Sequence, residues 1–135
     1  MIFIFLHLIM IKNFIFQKIL VHSRSRTVLA TLKEAHSMHK RLYIYVTECA
    51  SNDSGRKMKK DLDALGIPCT LVLDGSVGYV LEQVDLVLLG AEGVVESGGI
   101  VNKVIFILNS RNILHHQTDS KCAVVILEIT LMHFW

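Results

Sequence analysis

Apolar residues recur in short blocks from residue 17 onward, and these blocks alternate with segments of helical periodicity. The blocks are almost wholly apolar and rich in β-branched and aromatic residues, which is typical of strands buried on both faces of a sheet. In the segments between them, apolar positions repeat every three to four residues, which indicates amphipathic helices. The pattern predicts strands at 18–22, 41–48, 67–74 and 84–90, helices at 27–40 and 54–65, and a short helical turn at 75–83.

The residues that flank the predicted helices include specific start and stop signals. Residues 23–25 precede the first helix and Ser54 stands at the start of the second, and serine is a favoured N-cap residue. Gly66 follows the second helix, where a residue in the left-handed conformation commonly ends a helix, and Pro68 comes two residues later. These signals define the expected helix boundaries.

Regular alternation of strand and helix predicts an α/β fold, in which a mainly parallel sheet is covered by helices on both faces. Residues 17–103 carry this pattern and are taken as the core. They are flanked by an atypical apolar leader at 1–16 and by a divergent tail at 104–135, which lacks the glycines and capping residues of the core. One apolar run in the tail, at 122–135, is predicted to be an edge or closing strand.

Ionisable residues stand at the ends of the predicted strands. The first three strands end at His22, Glu48 and Asp74, at a constant interval of 26 residues, and Glu92 follows the fourth strand. Because the carboxyl ends of parallel strands lie at one edge of a sheet, these side chains are expected to gather along one rim, where α/β folds bind ligands. The alternative is that each of them caps its own loop.

The same rim would receive the N-termini of both predicted helices, whose free N–H groups and dipoles favour anions. Arginine and lysine residues accompany these helix starts, within 23–26 and 54–57, and an arginine pairs well with a phosphate or carboxylate. Glycines in the loop after the fourth strand would let backbone N–H groups approach the same anion, and Asn102 and Lys103 follow them. Basic residues that only face solvent are the alternative interpretation.

Motifs that define common catalytic and metal sites are absent from the sequence. It contains no nucleophile elbow, no phosphate-binding P-loop and no dinucleotide-binding glycine motif after the first strand. His22 and Glu48 are a candidate acid–base pair, but the sequence offers no evident nucleophile for them other than Ser23. The histidines at 115–116 have no partner at metal-ligand spacing except Asp119, so no metal or cofactor is expected.

Composition narrows the class of protein further. The chain has 135 residues, of which 52% are hydrophobic and 19% charged, as expected for one globular domain. A net charge of +2, with lysine and arginine scattered along the chain, argues against nucleic-acid binding. Three cysteines without a C-x-x-C motif predict free thiols in a reducing compartment, and we expect a cytoplasmic protein.

The leader is apolar but short. Its first eleven residues are nearly all apolar, and Lys12 and Asn13 interrupt the run well before the roughly 20 residues that span a membrane. The leader also lacks the basic start and small-residue cleavage site of a signal peptide. We therefore expect a segment that packs on the domain or stays disordered, with no membrane partner; a weak signal anchor is the alternative.

Three stretches of the core resemble a known family. They are ILVHSRSRTVL at 19–29, YVTE at 45–48 and the segment 66–103, which contains VLD-x-x-VGY and GAEGVVE-x-GGI-x-NK. They are similar to the alpha, beta and delta regulatory subunits of the guanine-nucleotide exchange factor for eukaryotic initiation factor two, most closely the alpha members. The resemblance implies a Rossmann-like three-layer domain. It also implies a subunit that supports complex assembly, GDP/GTP exchange on the initiation factor and inhibition by phosphorylation of that factor.

The wider superfamily includes methylthioribose-phosphate isomerase and ribose bisphosphate isomerase. Relative to these isomerases, Ser23 stands in place of a catalytic Cys and Glu92 in place of a catalytic Asp. The resemblance thus implies a non-catalytic subunit, with a sugar-phosphate aldose–ketose isomerase as the alternative function. It also implies that the rim holds a sugar phosphate or similar anion, and the candidate binding residues are His22, Ser25, Arg26, Glu92, Gly93, Asn102 and Lys103.

Both ends of the chain depart from this family. Its members carry a helical domain before the first strand and further sheet strands after the position of Lys103, and here 1–16 and 104–135 replace them. The sheet is therefore expected to be incomplete on its C-terminal side. The implied partners are other exchange-factor subunits, the GTP-binding initiation factor and, for the complete subunit, a second copy of itself.

Overall fold

The computed structural model describes residues 16–91, 93–94, 100–101 and 123–128, with side chains described from Gln17 to Gly90. The leader up to residue 15 and most of the tail lie outside the described residues. In chain order the elements are β1 (Phe16–Val21), α1 (Arg26–Ser37), β2 (Arg41–Thr47), α2 (Ser54–Ala64), β3 (Cys69–Val72), a 3₁₀ turn (Asp74–Ser76), α3 (Val77–Leu81), β4 (Leu86–Ala91), β5 (Gly93–Val94), β6 (Ile100–Val101) and β7 (Ala123–Glu128). The predicted strands and helices are all present, with ends that differ by a few residues.

Five strands form one parallel sheet in the order β3-β2-β1-β4-β7. β1 lies at its centre, with Ile19 opposite Ile44 of β2 on one side and opposite Leu86 of β4 on the other. β7 lies beside β4, with Ala123 opposite Leu86, so the strand predicted in the tail is confirmed for 123–128. β5 and β6 form a separate antiparallel pair. The expected α/β fold with a mainly parallel sheet is confirmed.

Helices cover both faces of the sheet and produce the three layers. Because successive side chains of a strand point to opposite faces, Ile19 and Val21 of β1 join the core beneath α1 and α2. Leu20, between them, joins the core on the side of α3. Leu32 of α1 and Leu62 of α2 are fully buried in the first core, and each contributes about 1.5–3 kcal/mol by its burial. Within the described residues, no helix has the length and apolar character needed to cross a membrane.

The glycine predicted to end the second helix does close the C-terminus of α2. Gly66 has a left-handed backbone with φ of 72°. Its N–H donates to the carbonyl of Asp63, and the N–H of Ile67 donates to the carbonyl of Leu62, both at 3.1 Å. These two bonds form a Schellman motif, and Ile67 packs in the same core as Leu62. The predicted helix stop is therefore confirmed.

The start of α2 differs from the prediction. Asp53 is the N-cap residue, with a left-handed φ of 56° and no capping bond from its side chain to the helix. Its carboxylate contacts Arg56 at 2.8 Å instead. Ser54 is the first helical residue, so the prediction that it is the N-cap is wrong. At the start of α1, Ser25 is the N-cap residue, and its Oγ accepts the N–H of Val28 at 3.4 Å.

Candidate ligand site at the carboxyl edge of the sheet

The carboxyl ends of β1, β2 and β3 lie side by side, and the ionisable residue that follows each strand starts from this edge. The strand order also creates a switch point between β1 and β4, because the chain leaves β1 toward β2 and β3 and then returns to the other side of β1. In open α/β sheets, ligands bind in the crevice outside the carboxyl ends of the strands at such a point. The candidate site therefore surrounds His22, at the end of β1.

Asp74 has a structural partner at this edge. One of its carboxylate oxygens accepts the N–H of Cys49 at 3.0 Å, and the other accepts the N–H of Ala50 at 3.2 Å. These bonds hold the turn after β2, where Cys49 has a left-handed backbone with φ of 49°. Asp74 therefore caps a loop, which is the alternative that its sequence position left open.

The start of α2 lies directly against the end of β2. The N–H of Gly55 donates to the carbonyl of Glu48 at 3.1 Å. A Cβ atom added to Gly55 would lie 2.0 Å from the carbonyl oxygen of Thr47, a distance that no side chain tolerates. The glycine thus permits a close approach that brings Ser54 beside the loop after β1.

His22 and the following residue are held by one hydroxyl group. His22 is buried, with 7% of its surface exposed, and its Nδ1 lies 2.9 Å from Oγ1 of Thr47. The same oxygen accepts the N–H of Ser23 at 3.2 Å. Thr47 is the last residue of β2 and is itself buried. Its side chain therefore ties the end of β2 to the loop that leaves β1.

Ser23 adopts an uncommon backbone conformation in this loop. Its φ is 59°, in the left-handed region that residues other than glycine rarely occupy. Its side chain is buried, and its Oγ lies 2.5 Å from Oγ of Ser54 at the start of α2. The hydroxyl group of Ser23 is thus engaged by another hydroxyl group and held in a fixed position.

Ser25 and Arg26 begin α1 at the switch point. A Cβ atom added to Gly90 of β4 would lie 2.7 Å from Oγ of Ser25, so the helix start packs tightly against the end of β4. Arg26 is exposed at this helix start, and it forms no ion pair with another described residue. Free N–H groups of a helix start beside an exposed guanidinium can bind an anion.

Two other basic residues of the predicted anion site are paired with acids. Arg24 Nε lies 2.7 Å from a carboxylate oxygen of Asp61 on α2, and Arg56 Nε lies 2.8 Å from Asp53. Both pairs are partly exposed, so they contribute little to stability. They nevertheless reduce the positive charge available at the two helix starts. Arg26, which forms no ion pair with a described residue, is therefore a better candidate than Arg24 or Arg56 to bind an anion.

Groups with shifted pKa values lie away from this edge, at the other end of β3. Cys69 Sγ lies 3.3 Å from one oxygen of Asp63, and Lys59 Nζ lies 2.7 Å from the other. Burial, and then the hydrogen bond to Asp63, raises the pKa of the Cys69 thiol to about 11. The bond from Lys59 lowers the pKa of the Asp63 carboxyl. Cys69 is thus a protonated thiol near neutral pH, and Cys49 and Cys69 are both free, whereas Cys122 lies outside the described residues.

Four of the seven predicted binding residues fall in or next to the loop after β4. Glu92, Asn102 and Lys103 lie outside the described residues. Gly93 begins β5, where it pairs with Val101 of β6. The structure therefore brings His22, Ser25 and Arg26 to one edge and leaves the contribution of the other four as a prediction. Among the described residues, no cluster of three His, Cys, Asp or Glu side chains could hold a metal ion.

Sequence reasoning missed Thr47 and the contact made by Ser54. The pattern places Thr47 in a strand, and the signal for a further role is a polar residue at the end of a mostly apolar strand. The pattern places Ser54 at a helix start, and its partner Ser23 is 31 residues away. Such pairs depend on strand order, which the hydrophobic pattern does not reveal.

A parallel sheet in this order, with polar residues at its carboxyl edge and helices on both faces, defines a Rossmann-like α/β domain. Residues 11–104 match the profile of the Initiation factor 2 subunit family. The chain belongs to this family.

Curated relatives include proteins of two kinds. Over 86 residues, the chain is 49% identical to translation initiation factor eIF2B subunit alpha of Caenorhabditis elegans and 48% identical to that of Dictyostelium discoideum. It is 33% identical over 86 residues to ribose 1,5-bisphosphate isomerase of Archaeoglobus fulgidus. Each match covers 64% of this chain and only 27–28% of the relative, so the chain spans little more than a quarter of these proteins.

Solved structures share the fold. The translation initiation factor eIF-2B of Pyrococcus horikoshii OT3 aligns with a TM-score of 0.72 at 24% identity, covering 82% of this chain and 39% of that one. The eIF2B delta subunit of Chaetomium thermophilum aligns with a TM-score of 0.77 at 18% identity, covering 93% and 45%. A tetrameric complex of eIF2B beta and delta subunits from the same organism aligns at 0.73 and 20% identity, covering 82% and 35%. Related subunits therefore assemble with one another in that complex.

Proposed function

We propose that this chain acts as a regulatory subunit, or part of one, in the guanine-nucleotide exchange complex for eukaryotic initiation factor two. The observation that carries the proposal is its 49% identity, over 86 residues, to an eIF2B alpha subunit. The identity to the isomerase from A. fulgidus over a stretch of equal length is 33%. In this role the subunit supports assembly of the complex, GDP/GTP exchange on the initiation factor and inhibition when that factor is phosphorylated.

The proposed subunit is not itself a catalyst. Ser23 stands where the resemblance to isomerases places a catalytic Cys, and a hydroxyl group is a much weaker nucleophile than a thiolate. In the described structure its Oγ faces another hydroxyl group, that of Ser54, and not a general base. Glu92 stands where the isomerases carry Asp, and one additional methylene group displaces its carboxyl by more than a bond length. Both differences favour a subunit that has lost the chemistry.

The proposed ligand is a sugar phosphate or similar anion held at the carboxyl edge. The start of α1 offers N–H groups and the positive end of a helix dipole, and Arg26 adds an exposed guanidinium. His22 lies at the end of the adjacent strand. Glu92, Gly93, Asn102 and Lys103 are proposed to complete the site from the loop after β4, because the family resemblance places the glycine-rich loop there.

The proposed partners are proteins. They are other subunits of the exchange factor, the GTP-binding initiation factor and, for the complete subunit, a second copy of itself. A net charge of +2 gives no reason to expect nucleic acid as a partner. The cytoplasm, where translation factors act, is the proposed location, and residues 17–103 are proposed as the Rossmann-like core of the C-terminal domain of the subunit.

A sugar-phosphate isomerase is the second candidate function. It is favoured by the archaeal relatives named ribose 1,5-bisphosphate isomerase, which match over 86 residues, as the alpha subunits do. An isomerase would need an acid or base within reach of its substrate, and among the described residues His22, which follows the central strand at the switch point, is the candidate for this group. Incubation of the chain with ribose 1,5-bisphosphate tests this candidate, and turnover that disappears in a Ser23→Ala variant would establish it.

Co-purification tests the regulatory function. The full chain is co-expressed with tagged eIF2B beta and delta subunits, and we expect it to remain bound through affinity and size-exclusion steps. Lys57→Ala, an exposed change, is the matched control that keeps binding, whereas Ile44→Asp destroys the core and abolishes it. A chain that is folded by circular dichroism but elutes apart from both subunits would overturn the proposal.

Thermal melting tests the ligand separately. A ligand that binds the native state raises the melting temperature, so inorganic phosphate and ribose 5-phosphate are added in turn. Arg26→Gln is expected to abolish most of the shift, and Lys57→Gln, at the start of the other helix, is expected to preserve it. Equal shifts in both variants would assign the effect to bulk salt and refute the anion site.

A further inference from the structure

β3 lies at one edge of the parallel sheet. Among the described residues, it pairs only with β2. The carbonyl of Pro68, just before β3, accepts the N–H of Ile44 in β2 at 3.0 Å. Backbone groups of successive strand residues point to opposite sides within a sheet, so the N–H and C=O groups of Cys69 and Leu71 point away from β2. The outer side of β3 therefore offers a row of hydrogen-bonding groups to a further strand.

The sequence of β3 does nothing to protect this edge. Natural sheet edges usually carry charged side chains, proline or a covering segment, and Cys69–Val72 contains neither a charge nor a proline. Leu73, directly after the strand, has 64% of its surface exposed. We propose that the apolar part of the leader, residues 3–11, covers this edge as a strand that pairs with β3 in antiparallel direction.

Chain length allows the leader to reach this edge. Phe16 begins β1, and a strand outside β3 lies three strand spacings from β1, about 14 Å. The chain from Ile11 to Phe16 spans about 17 Å when extended, so a strand that ends at Ile11 can lie there. Because β1 is entered at the amino edge of the sheet, that strand runs toward this edge and is antiparallel to β3. Lys12 and Asn13, which interrupt the apolar run, fall in the connection.

The C-terminal part of the chain is less well placed to cover β3. β7 ends at Glu128, on the opposite edge of the sheet, and residues 129–135 follow it. The position outside β3 is five strand spacings away, about 24 Å, which would consume the full extended length of that segment. Residues 102–122 would have to return to β7 at the same distant edge.

Side-chain chemistry selects one register for the pairing. His7 is the one polar residue among the first eleven, and Thr70 carries the one hydroxyl group of β3. The Thr70 hydroxyl lies 2.5 Å from that of Tyr43, so the face of the sheet at this point is polar. Directly opposite residues of an antiparallel pair share a face, so His7 opposite Thr70 gives the imidazole polar neighbours. This register places Leu8 opposite Cys69.

The same register agrees with the chain length. Cys69 is opposite Ile44, and β1 begins three residues closer to the amino edge than this level, at Phe16. With Leu8 opposite Cys69, Ile11 is also three residues closer to that edge and lies level with Phe16. The connection through residues 12–15 then crosses directly between the two strands, as the distance estimate requires.

Backbone and apolar side chains both gain partners in this arrangement. Residues that face each other at Cys69 and at Leu71 exchange their N–H···O=C bonds, which uses the outward groups of β3. Cys69 and Leu71 pack against the core beneath α2. Leu8 and Leu6, opposite them, extend that core with apolar surface.

Disulfide trapping on the full chain tests the pairing. Opposite residues of an antiparallel pair lie within the Cα separation that a disulfide spans. Leu8→Cys is oxidised with copper phenanthroline at about pH 9, which increases the thiolate fraction of Cys69. Peptide mass spectrometry then quantifies the bond between position 8 and Cys69. His7→Cys is the matched control, because its side chain points to the other face, and we expect about tenfold less of the bond there.

Isotope labelling identifies which chain supplies the strand. ¹⁴N- and ¹⁵N-labelled chains are mixed before oxidation, and a bond within one chain supports the proposal. A bond between two chains would assign the edge to a second copy and overturn it. Equal yields from Leu8→Cys and His7→Cys, or no bond to Cys69 in Leu8→Cys, would overturn it as well.

Hydrogen exchange followed by NMR tests the pairing without a new cysteine. The N–H of Leu71 points away from β2, so slow exchange requires a further strand to accept it. We expect slow exchange in the wild type and about tenfold faster exchange in Leu6→Asp, with the N–H of Val46 in β2 unchanged. Ala30→Asp, an exposed change on α1, is the control. Fast exchange of Leu71 in the wild type, or equal exchange in Leu6→Asp, would refute the pairing and leave the proposed anion site untouched.

Discussion

Ser25 and Gly90 are in such close contact that a Cβ atom at position 90 fits only if one of the two segments shifts. A Cβ atom there would lie 2.7 Å from Oγ and 2.9 Å from Cβ of Ser25. We expect Gly90→Ala to destabilise the protein by about 1–3 kcal/mol, since either the start of α1 or the end of β4 must shift. Urea unfolding followed by circular dichroism measures this change.

Gly78→Ala is the matched control for that experiment. Gly78 lies inside α3, and a Cβ atom added to it meets nothing within 4 Å. Alanine favours a helix over glycine, so this variant is expected to gain about 0.5–1 kcal/mol. Equal effects of the two substitutions would show that α1 does not pack against Gly90 as described.

Gly66 is required for its backbone conformation and not for space. Its φ is 72°, and nothing lies within 4 Å of the position of its Cβ. Gly66→Ala should therefore cost about 1–2 kcal/mol through the left-handed conformation alone. Gly66→Asn should cost less, because asparagine tolerates this conformation. A comparison of the free energies of unfolding of the three proteins tests the assignment, which an Asn variant weaker than the Ala variant would contradict.

Asp74 is expected to stabilise the turn after β2 and not to bind a ligand. Asp74→Ala removes the acceptor for the N–H groups of Cys49 and Ala50, which should cost about 1–3 kcal/mol. Asp74→Asn keeps one acceptor oxygen, so its free energy of unfolding should lie between those of Asp74→Ala and the wild type. Glu82→Ala, an exposed change beside α3, is the control and should stay within about 0.5 kcal/mol. If Asp74→Ala instead left stability intact and abolished a ligand-induced melting shift, the structural role would be refuted.

The reactivity of Cys69 should depend on Asp63. The thiolate is the reactive form, and a thiol pKa of about 11 makes it scarce at neutral pH. Since the Asp63 carboxylate is one cause of this raised pKa, Asp63→Asn should lower the pKa and speed alkylation by iodoacetamide about three- to tenfold. Reactivity should rise with pH in both proteins and do so at lower pH in the variant.

Mass spectrometry of the peptide that contains Cys69 measures this rate separately from the other cysteines. Asp61→Asn is the control, because Asp61 pairs with Arg24 and has no part in the environment of Cys69. An acceleration of the same size in both variants would indicate general loosening of α2.

The sequence pattern predicted the sheet well because burial on both faces leaves a strong signal. β1, β2 and β4 each contain an apolar run, and their parallel pairing follows from the helices between them. The helix stop at Gly66 was also predictable, since few residues other than glycine readily adopt the left-handed conformation that ends an amphipathic helix. These features depend on local sequence.

Features that depend on strand order were not predictable in the same way. The sequence predicts Ser54 as the N-cap of α2, but Asp53 is the N-cap residue. The hydroxyl group of Ser54 instead contacts that of Ser23 on another loop. The pairing of Thr47 with His22 joins residues 25 apart in sequence, and it follows from β2 lying beside β1. The sequence therefore predicted only part of the candidate site: it indicated His22, Ser25 and Arg26 but not Thr47, whose hydroxyl group contacts the imidazole.

The central position of β1 has a consequence for how the chain acquires its structure during synthesis. Of the five strands in the sheet, β1 leaves the ribosome first, and its partner on one side, β2, follows soon afterwards. Its partner on the other side, β4, is made only after α2, β3 and α3. Until Leu86 emerges, one row of N–H and C=O groups of β1 has no strand beside it, and exposed strand edges promote aggregation. The nascent chain thus passes through an interval in which a chaperone would protect the innermost strand of the finished domain.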